Sequence, residues 1–193
     1  MSNIINRITS RNKLHDHEET DAALIDAARL EPAAFGQLYD RHVQSIYRYL
    51  LSRLGNRSEA EDITSQTFLA ALEQLNKYQH KGHFPAWLFS IARNKLVDHY
   101  RNQQKQIPLD QEHPAKMVSD QVNESIQSDK IDLLRKEIDK LSESEMELLR
   151  LRFVAQLRFR EIASILGRKE DTVKKTLYRL LARIKSQLEE KNE

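Results

Sequence analysis

The sequence predicts an all-α protein: two small helical domains joined by a flexible linker, the C-terminal one a helix-turn-helix of winged-helix-like type without a wing. Three observations predict it. The 193 residues include only four glycines and four prolines, too few punctuators for a series of β-hairpins. Over most of the chain apolar residues recur at three- and four-residue steps, the period of one helix face. One long stretch, residues 102–129, breaks that period with two prolines and few large apolar side chains, so it reads as the linker.

Taken in order, residues 1–20 are polar and aperiodic, and they read as a mobile N-terminal tail. The first domain, 21–101, opens with the amphipathic "DAALIDAARL", and Pro32 then falls where a helix tolerates it, in a first turn. Phe35, Leu38, His42, Ile46, Leu50 and Leu54 mark the face of a second helix that Gly55 stops. "SEAE", Ser58 to Glu61, reads as a capping box for a third helix with Ile63, Thr67, Ala71 and Leu75 on one face. Glu59, Glu61 and Asp62 in its first turn suit the helix dipole. A loop, "YQHKGH", precedes a fourth helix from about Pro85 to Arg101, with Trp87, Leu88, Ile91, the Lys95 stem and Leu96 inward. In the second domain, 130–190, "DKIDLLRKEIDKL" resumes the helical period and "SESE" caps the helix of "MELLRLRF". The chain then runs through "EIASILGRKEDTVKK" into a long basic helix ending near Leu188.

Composition excludes whole classes of chemistry. Without a cysteine there is no disulfide framework, thiolate zinc site or cysteine nucleophile. His15/His17 and His80/His83 have ligand-like spacing, but no carboxylate or cysteine completes either set, so no metal is expected. No paired carboxylates, glycine-rich phosphate loop or nucleophile elbow rises above background, so no catalytic residue, cofactor or enzymatic activity is expected. No apolar run is long enough to span a bilayer and no secretory signal is evident, which predicts a cytoplasmic protein. The net charge of +2 is too small for a protein that grips DNA by bulk electrostatics alone. Any basic surface must be local, or a partner must help.

A local basic surface is found at "EIASILGRKEDTVKK". Two helices crossing at a sharp turn need a small residue at the contact, a residue tolerant of positive φ in the corner and an apolar plug on the second helix. Ala163, Gly167 and Val173 stand at those places. Val173, Leu177, Leu180, Leu181, Ile184 and Leu188 form the inward stripe of the second helix. Asp171, Thr172, Lys174, Lys175, Tyr178 and Arg179 are left facing out, where such a motif meets the major groove. An ordinary helical hairpin with a solvated charged face is the competing reading.

The second informative stretch, "YQHKGHFPAWLFSIARNKLVDHYRNQQK", interleaves aromatic with basic and amide side chains. Bases taken out of a duplex stack on flat side chains or enter amide-lined pockets, so the stretch suits melted DNA. Phe84, Trp87 and Phe89 at helical spacing equally suit a core. Residue pattern alone leaves both readings standing.

Together, "FGQLYDRHVQSIYRYLLSRLGNRSEAEDITSQTFLAAL" and "FPAWLFSIARNKLVDHYR" resemble the second region of bacterial sigma-70 family RNA polymerase sigma factors of the extracytoplasmic-function (ECF) group. "LSESEMELLRLRFVAQLRFREIASILGRKEDTVKKTLYRLLARI" is similar to their fourth region. The resemblance implies a factor that binds core RNA polymerase, through the β′ clamp helices and the β flap, and directs it to promoter DNA. It also implies an anti-sigma partner, and a C-terminal domain of sigma region 4 type.

By position, it implies a clamp contact at Glu61, Asp62, Ser65 and Gln66, although the family pattern has a glutamine and a glutamate where this chain has Ser65 and Gln66. It implies that His80, Lys81, His83, Phe84, Trp87, Asn94, Lys95, Asp98 and Arg101 read and melt the minus-10 element. Arg168, Lys169, Thr172, Lys174, Lys175, Tyr178 and Arg179 would read the minus-35 element. The linker acids Asp110, Glu112, Asp120 and Glu124 would thread through the RNA exit region as a polyanion mimic. The alternative is a stand-alone helix-turn-helix transcriptional regulator, which leaves the aromatic and basic first domain without a role.

Overall fold

The computed structural model describes residues 16–79, 83–106 and 128–190, and within them all regular structure is helical. The first half comprises α1 (Asp16–Leu30), a 3-10 turn (Pro32–Ala34), α2 (Phe35–Leu54), α3 (Arg57–Gln74), a second 3-10 turn (Leu75–Lys77) and α4 (Phe84–Gln106). The second half comprises α5 (Ser128–Ile138), α6 (Glu143–Leu149), a π-helical turn (Arg150–Val154), α7 (Phe159–Leu166) and α8 (Glu170–Glu190). Residues 1–15 and most of the expected linker lie outside the described residues.

Most helix ends follow the sequence signals. Gly55 adopts φ 68 and its N–H donates to Leu51 O at 2.9 Å, closing α2. Ser142 and Glu145 form the expected capping box: Ser142 N–H donates to Glu145 Oε2 at 3.0 Å and Glu145 N–H to Ser142 Oγ at 3.4 Å.

Four ends differ from expectation, the first being α4, which runs past the expected end at Arg101 to Gln106, inside the stretch expected as linker. The box at Ser58–Glu61 does not form, because α3 begins earlier, at Arg57, with Asn56 Oδ1 accepting from Glu59 N–H at 3.3 Å. Asparagine caps as well as serine does, and the first cap the chain reaches takes the orphan donors. Helix α1 begins at Asp16, inside the stretch expected as tail, since the turn ahead of an apolar stripe carries no periodicity to read. The helix of "MELLRLRF" does not run through as α-helix but loosens into the π turn at Arg150.

Helices α2, α3 and α4 pack on one another around Leu38, Ile46, Leu50, Phe68, Leu88 and Phe89. Ala60 and Ala71, both fully buried, let α3 lie close to its neighbours. Thr64 and Thr67 are buried on the same face and satisfy their hydroxyls by donating to Ala60 O and Ile63 O, at 2.6 and 2.7 Å. In the second half Leu148, Leu151, Ile162, Val173 and Leu177 form the core of the α6 to α8 corner. The two halves also meet: the π turn rests on α2, and α7 rests on α4. Along that seam the apolar cluster continues from one half into the other.

Candidate nucleic-acid interface

Helix α4 carries the first surface. Trp87, Asn94, Asp98 and Arg101 are seven, four and three residues apart, so they form one stripe along the helix. Asn94, Asp98 and Arg101 are exposed, while Trp87 and the neighbouring Lys95 are half-buried. Asn94 offers a donor and an acceptor to a base edge, whereas Lys95 and Arg101 match phosphate.

The aromatic residues around the head of that stripe separate by burial. Phe84, expected at the DNA, has only 2% of its surface exposed and lies beneath the outer surface rather than on it. Its ring contacts Tyr78 at 5.7 Å, His42 at 5.5 Å and Trp87 at 5.5 Å between centroids. Phe89 is likewise core, edge-on to Tyr49 at 5.4 Å. Trp87, tilted against Tyr78 with 4.7 Å between ring centroids, is the one of the three that keeps a solvent-facing side. His83, half-buried, starts the helix by accepting Trp87 N–H at 3.1 Å. His80 and Lys81 lie outside the described residues.

The second surface is built by the α7–α8 corner. Gly167 adopts φ 63, in the left-handed region, and Arg168 N–H returns to Ala163 O at 2.9 Å. Val173 is buried at the expected plug position; Thr172, Lys175, Tyr178 and Arg179 are exposed on α8, and Lys169 is exposed just ahead of it. Lys174 is half-buried and pairs with Glu170 at 2.7 Å, a hydrogen bond that raises its pKa. Phe159, which the sequence pattern did not single out, lies under this face. Arg152 stands 4.8 Å from its ring centroid, Lys174 5.8 Å and the Tyr178 ring 6.1 Å.

A third surface lies on α3. Glu61, Asp62, Ser65 and Gln66 are all exposed and fall on one face. That face continues into Leu69 and Leu72, with Tyr39 of α2 beside it, packed edge-on to Phe68 at 4.7 Å. These three large apolar residues, 59%, 36% and 40% exposed, were missed in the sequence. Assigning Ile63, Thr67 and Ala71 to the core already places Leu69 and Leu72 outside, which is the signal that could have found them.

Residues 38–106 match the family described as sigma-70 region 2, and residues 131–184 match sigma-70 region 4. The chain belongs to the sigma-70 family of RNA polymerase sigma factors, ECF group. Over 156 residues this sigma factor is 34% identical to the ECF RNA polymerase sigma factor BldN of Streptomyces coelicolor, an alignment covering 77% of this chain and 58% of that relative's length. It is 26% identical over 151 residues to the ECF RNA polymerase sigma factor SigM of Bacillus subtilis, covering 78% and 92% of the two chains. Its fold resembles that of the sigma factor RpoE in complex with the anti-sigma factor NepR from Bartonella quintana, with a TM-score of 0.56 at 21% identity over 80% of this chain and 96% of that one.

The α4 stripe and the α7–α8 corner of this sigma factor fall inside the matched stretches, whereas α1 falls outside them. Helix α1 nonetheless braces the first surface. Its Arg29 donates to Tyr78 O and, at 3.4 Å, to Leu75 O, fixing the turn that carries the aromatic cluster. Asp21, 4% exposed, accepts from Arg41 Nη1 at 2.7 Å and faces His42 Nε2 at 3.0 Å. Among the described residues no group of three or more His, Asp or Glu side chains could hold a metal, and no helix is long and apolar enough to cross a membrane.

Proposed function

We infer that this sigma factor binds core RNA polymerase and directs promoter-specific initiation in the cytoplasm, with no chemistry of its own. Residues 21–101 read and help melt the minus-10 element, residues 130–190 read the minus-35 element, and residues 102–129 join them. The observation that carries this reading is the presence of two separate outward helix faces on one chain, α4 and the N-terminal half of α8, each within its own matched region.

Weak contacts at two DNA elements add through effective concentration once the polymerase holds both readers. That suits a net charge of only +2. Trp87 supplies the flat surface for an unstacked base, and Asn94 its edge contact; trapping flipped bases offsets an unstacking cost of a few kcal/mol. Lys95, Arg101, Arg168, Lys169, Lys175 and Arg179 serve mainly the phosphates. Docking on the clamp helices uses Glu61, Asp62, Ser65 and Gln66, and the exposed Leu69, Leu72 and Tyr39 extend the patch with apolar area. The β flap would take the second domain, and an anti-sigma factor would hold the protein inactive.

Run-off transcription with purified core enzyme over genomic fragments tests the function, comparing wild type with Lys174→Ala/Lys175→Ala. Wild type is expected to stimulate a subset of promoters and the double variant to lose those that depend on the upstream element. Failure of the wild type to stimulate any promoter overturns the function. Tight specific DNA binding without polymerase at physiological salt would instead favour the stand-alone regulator.

A further inference from the structure

Glu147 on α6 is a charged residue with 7% of its surface exposed, and the partners of its carboxylate among the described residues come from the other half of the chain. Tyr49 Oη donates to Oε1 at 2.7 Å, Arg53 Nη1 to Oε2 at 3.3 Å, and Arg93 Nε lies 3.3 Å from Oε1. The cluster extends on both sides. Arg53 also pairs with Glu143, which holds Arg150 at 3.1 Å, and Arg93 Nη1 donates to Ile165 O at 3.1 Å in the last turn before the helix-turn-helix corner. Burial first, and then the Glu147 carboxylate, push the Tyr49 hydroxyl up, so it remains a donor at any ordinary pH. A cleft of about 380 Å³ beside the cluster is lined by Leu96, Val97, Leu166 and Arg168, which puts the first minus-35 candidate against the helix of the minus-10 reader.

This arrangement does not fit a promoter. Elements centred at minus 10 and minus 35 are about 25 base pairs apart, about 85 Å of duplex at about 3.4 Å per pair. A closed chain of this length, with a radius of gyration of about 16 Å, measures about 40 Å across. The readers must separate, and the segment 107–127 can extend to about 70 Å.

We propose that Glu147 is an interdomain latch: with Tyr49, Arg53 and Arg93 it keeps the free chain closed, and engagement with polymerase and promoter requires the latch to break. The chemistry suits a reversible contact. A buried ion cluster gains little net free energy over its separated, hydrated parts, yet loss of one member leaves the remaining charges buried and uncompensated. The latch therefore opens at modest cost when a competing surface is offered, but one substitution destroys it.

The closed state rests on intramolecular geometry, while its competition with polymerase rests on the sigma reading, so the test has an arm for each. The chain has no cysteine, so Gln74→Cys/Ala182→Cys, both exposed positions, take two spin labels in the full-length protein. Pulsed-EPR distances in the free protein are expected to show one short population in wild type, a majority of longer distances in Glu147→Gln, and a partial shift in Tyr49→Phe, which keeps the ring against Phe89. A broad, long distribution in wild type, or a short population unchanged in both variants, overturns the latch without touching the proposed function. If Glu147→Gln fails to fold, Tyr49→Phe decides the question. In the second arm, removing a closed state that masks the binding-competent one is expected to tighten core-polymerase binding at least threefold in Glu147→Gln. Opening without any gain in affinity overturns the competition between latch and polymerase.

Discussion

Lys174 Nζ and Glu170 Oε1 stand 2.7 Å apart, one helical turn from each other on the outer side of α8. The lysine at the centre of the proposed upstream reader is thus paired with a carboxylate of its own helix, and on that proposal it exchanges this partner for phosphate to bind DNA. Removing the carboxylate is expected to help. Glu170→Gln should tighten promoter binding by holoenzyme a few-fold and steepen the dependence of log K on log salt by up to about one. A salt titration of promoter binding checks this, and an unchanged slope would place Lys174 away from the phosphates.

Phe84 and Trp87 touch each other but have opposite expected phenotypes. Truncating the buried Phe84 to alanine should cost about 3–5 kcal/mol of stability, read as a lower denaturant midpoint. Trp87→Ala should cost less stability and lower promoter opening, measured by fluorescence of a base analogue in the minus-10 element. Normal opening by Trp87→Ala would remove the stacking role.

Asp21 carries a pH signature. Burial raises its carboxyl pKa, but the hydrogen bonds and charges of His42 and Arg41 outweigh burial and hold it below the ordinary value of 3.8. A depressed folded-state pKa adds stability that is fully present above the unfolded value and lost as pH falls through the folded one. Asp21→Asn should therefore be less stable than wild type at pH 7, by about 1–3 kcal/mol, with the gap closing below pH 3.8. Urea melts at several pH values decide it, and a gap that persists in acid would contradict the assignment.

Gly167 separates backbone from packing. A Cβ built there meets nothing within 4 Å, so the cost of Gly167→Ala comes from φ 63 alone. About 1–2 kcal/mol of destabilisation is expected for alanine, and less for asparagine, which tolerates the left-handed region. Equal thermal shifts for the two variants would argue against a purely conformational cost.

The helix-turn-helix could be read from the chain because its determinants are local: Ala163, Gly167 and Val173 span eleven residues, and the corner forms by their own sterics and return hydrogen bonds. The same holds for the Ser142 capping box and for the outward set on α8. Reading was less reliable where two local solutions compete. Asn56 and Ser58 both qualify as caps, and only the path of the chain out of Gly55 selects the first. Nothing in "MELLRLRF" announces the π turn at Arg150.

The sequence by itself determined the helical class, the helix-turn-helix corner and the family, because periodicity, caps and motif spacing act over a few residues and need no partner. Tertiary structure alone decided that Phe84 is buried while Trp87 keeps a solvent-facing side. It alone placed Leu69 and Leu72 beside Tyr39, and it turned Glu147 from a polar position into a buried charge with partners 54 to 98 residues away. Periodicity reports the face of its own helix on which a residue lies. What that face meets depends on packing between distant segments, and that is where Phe84 and Glu147 acquire their roles.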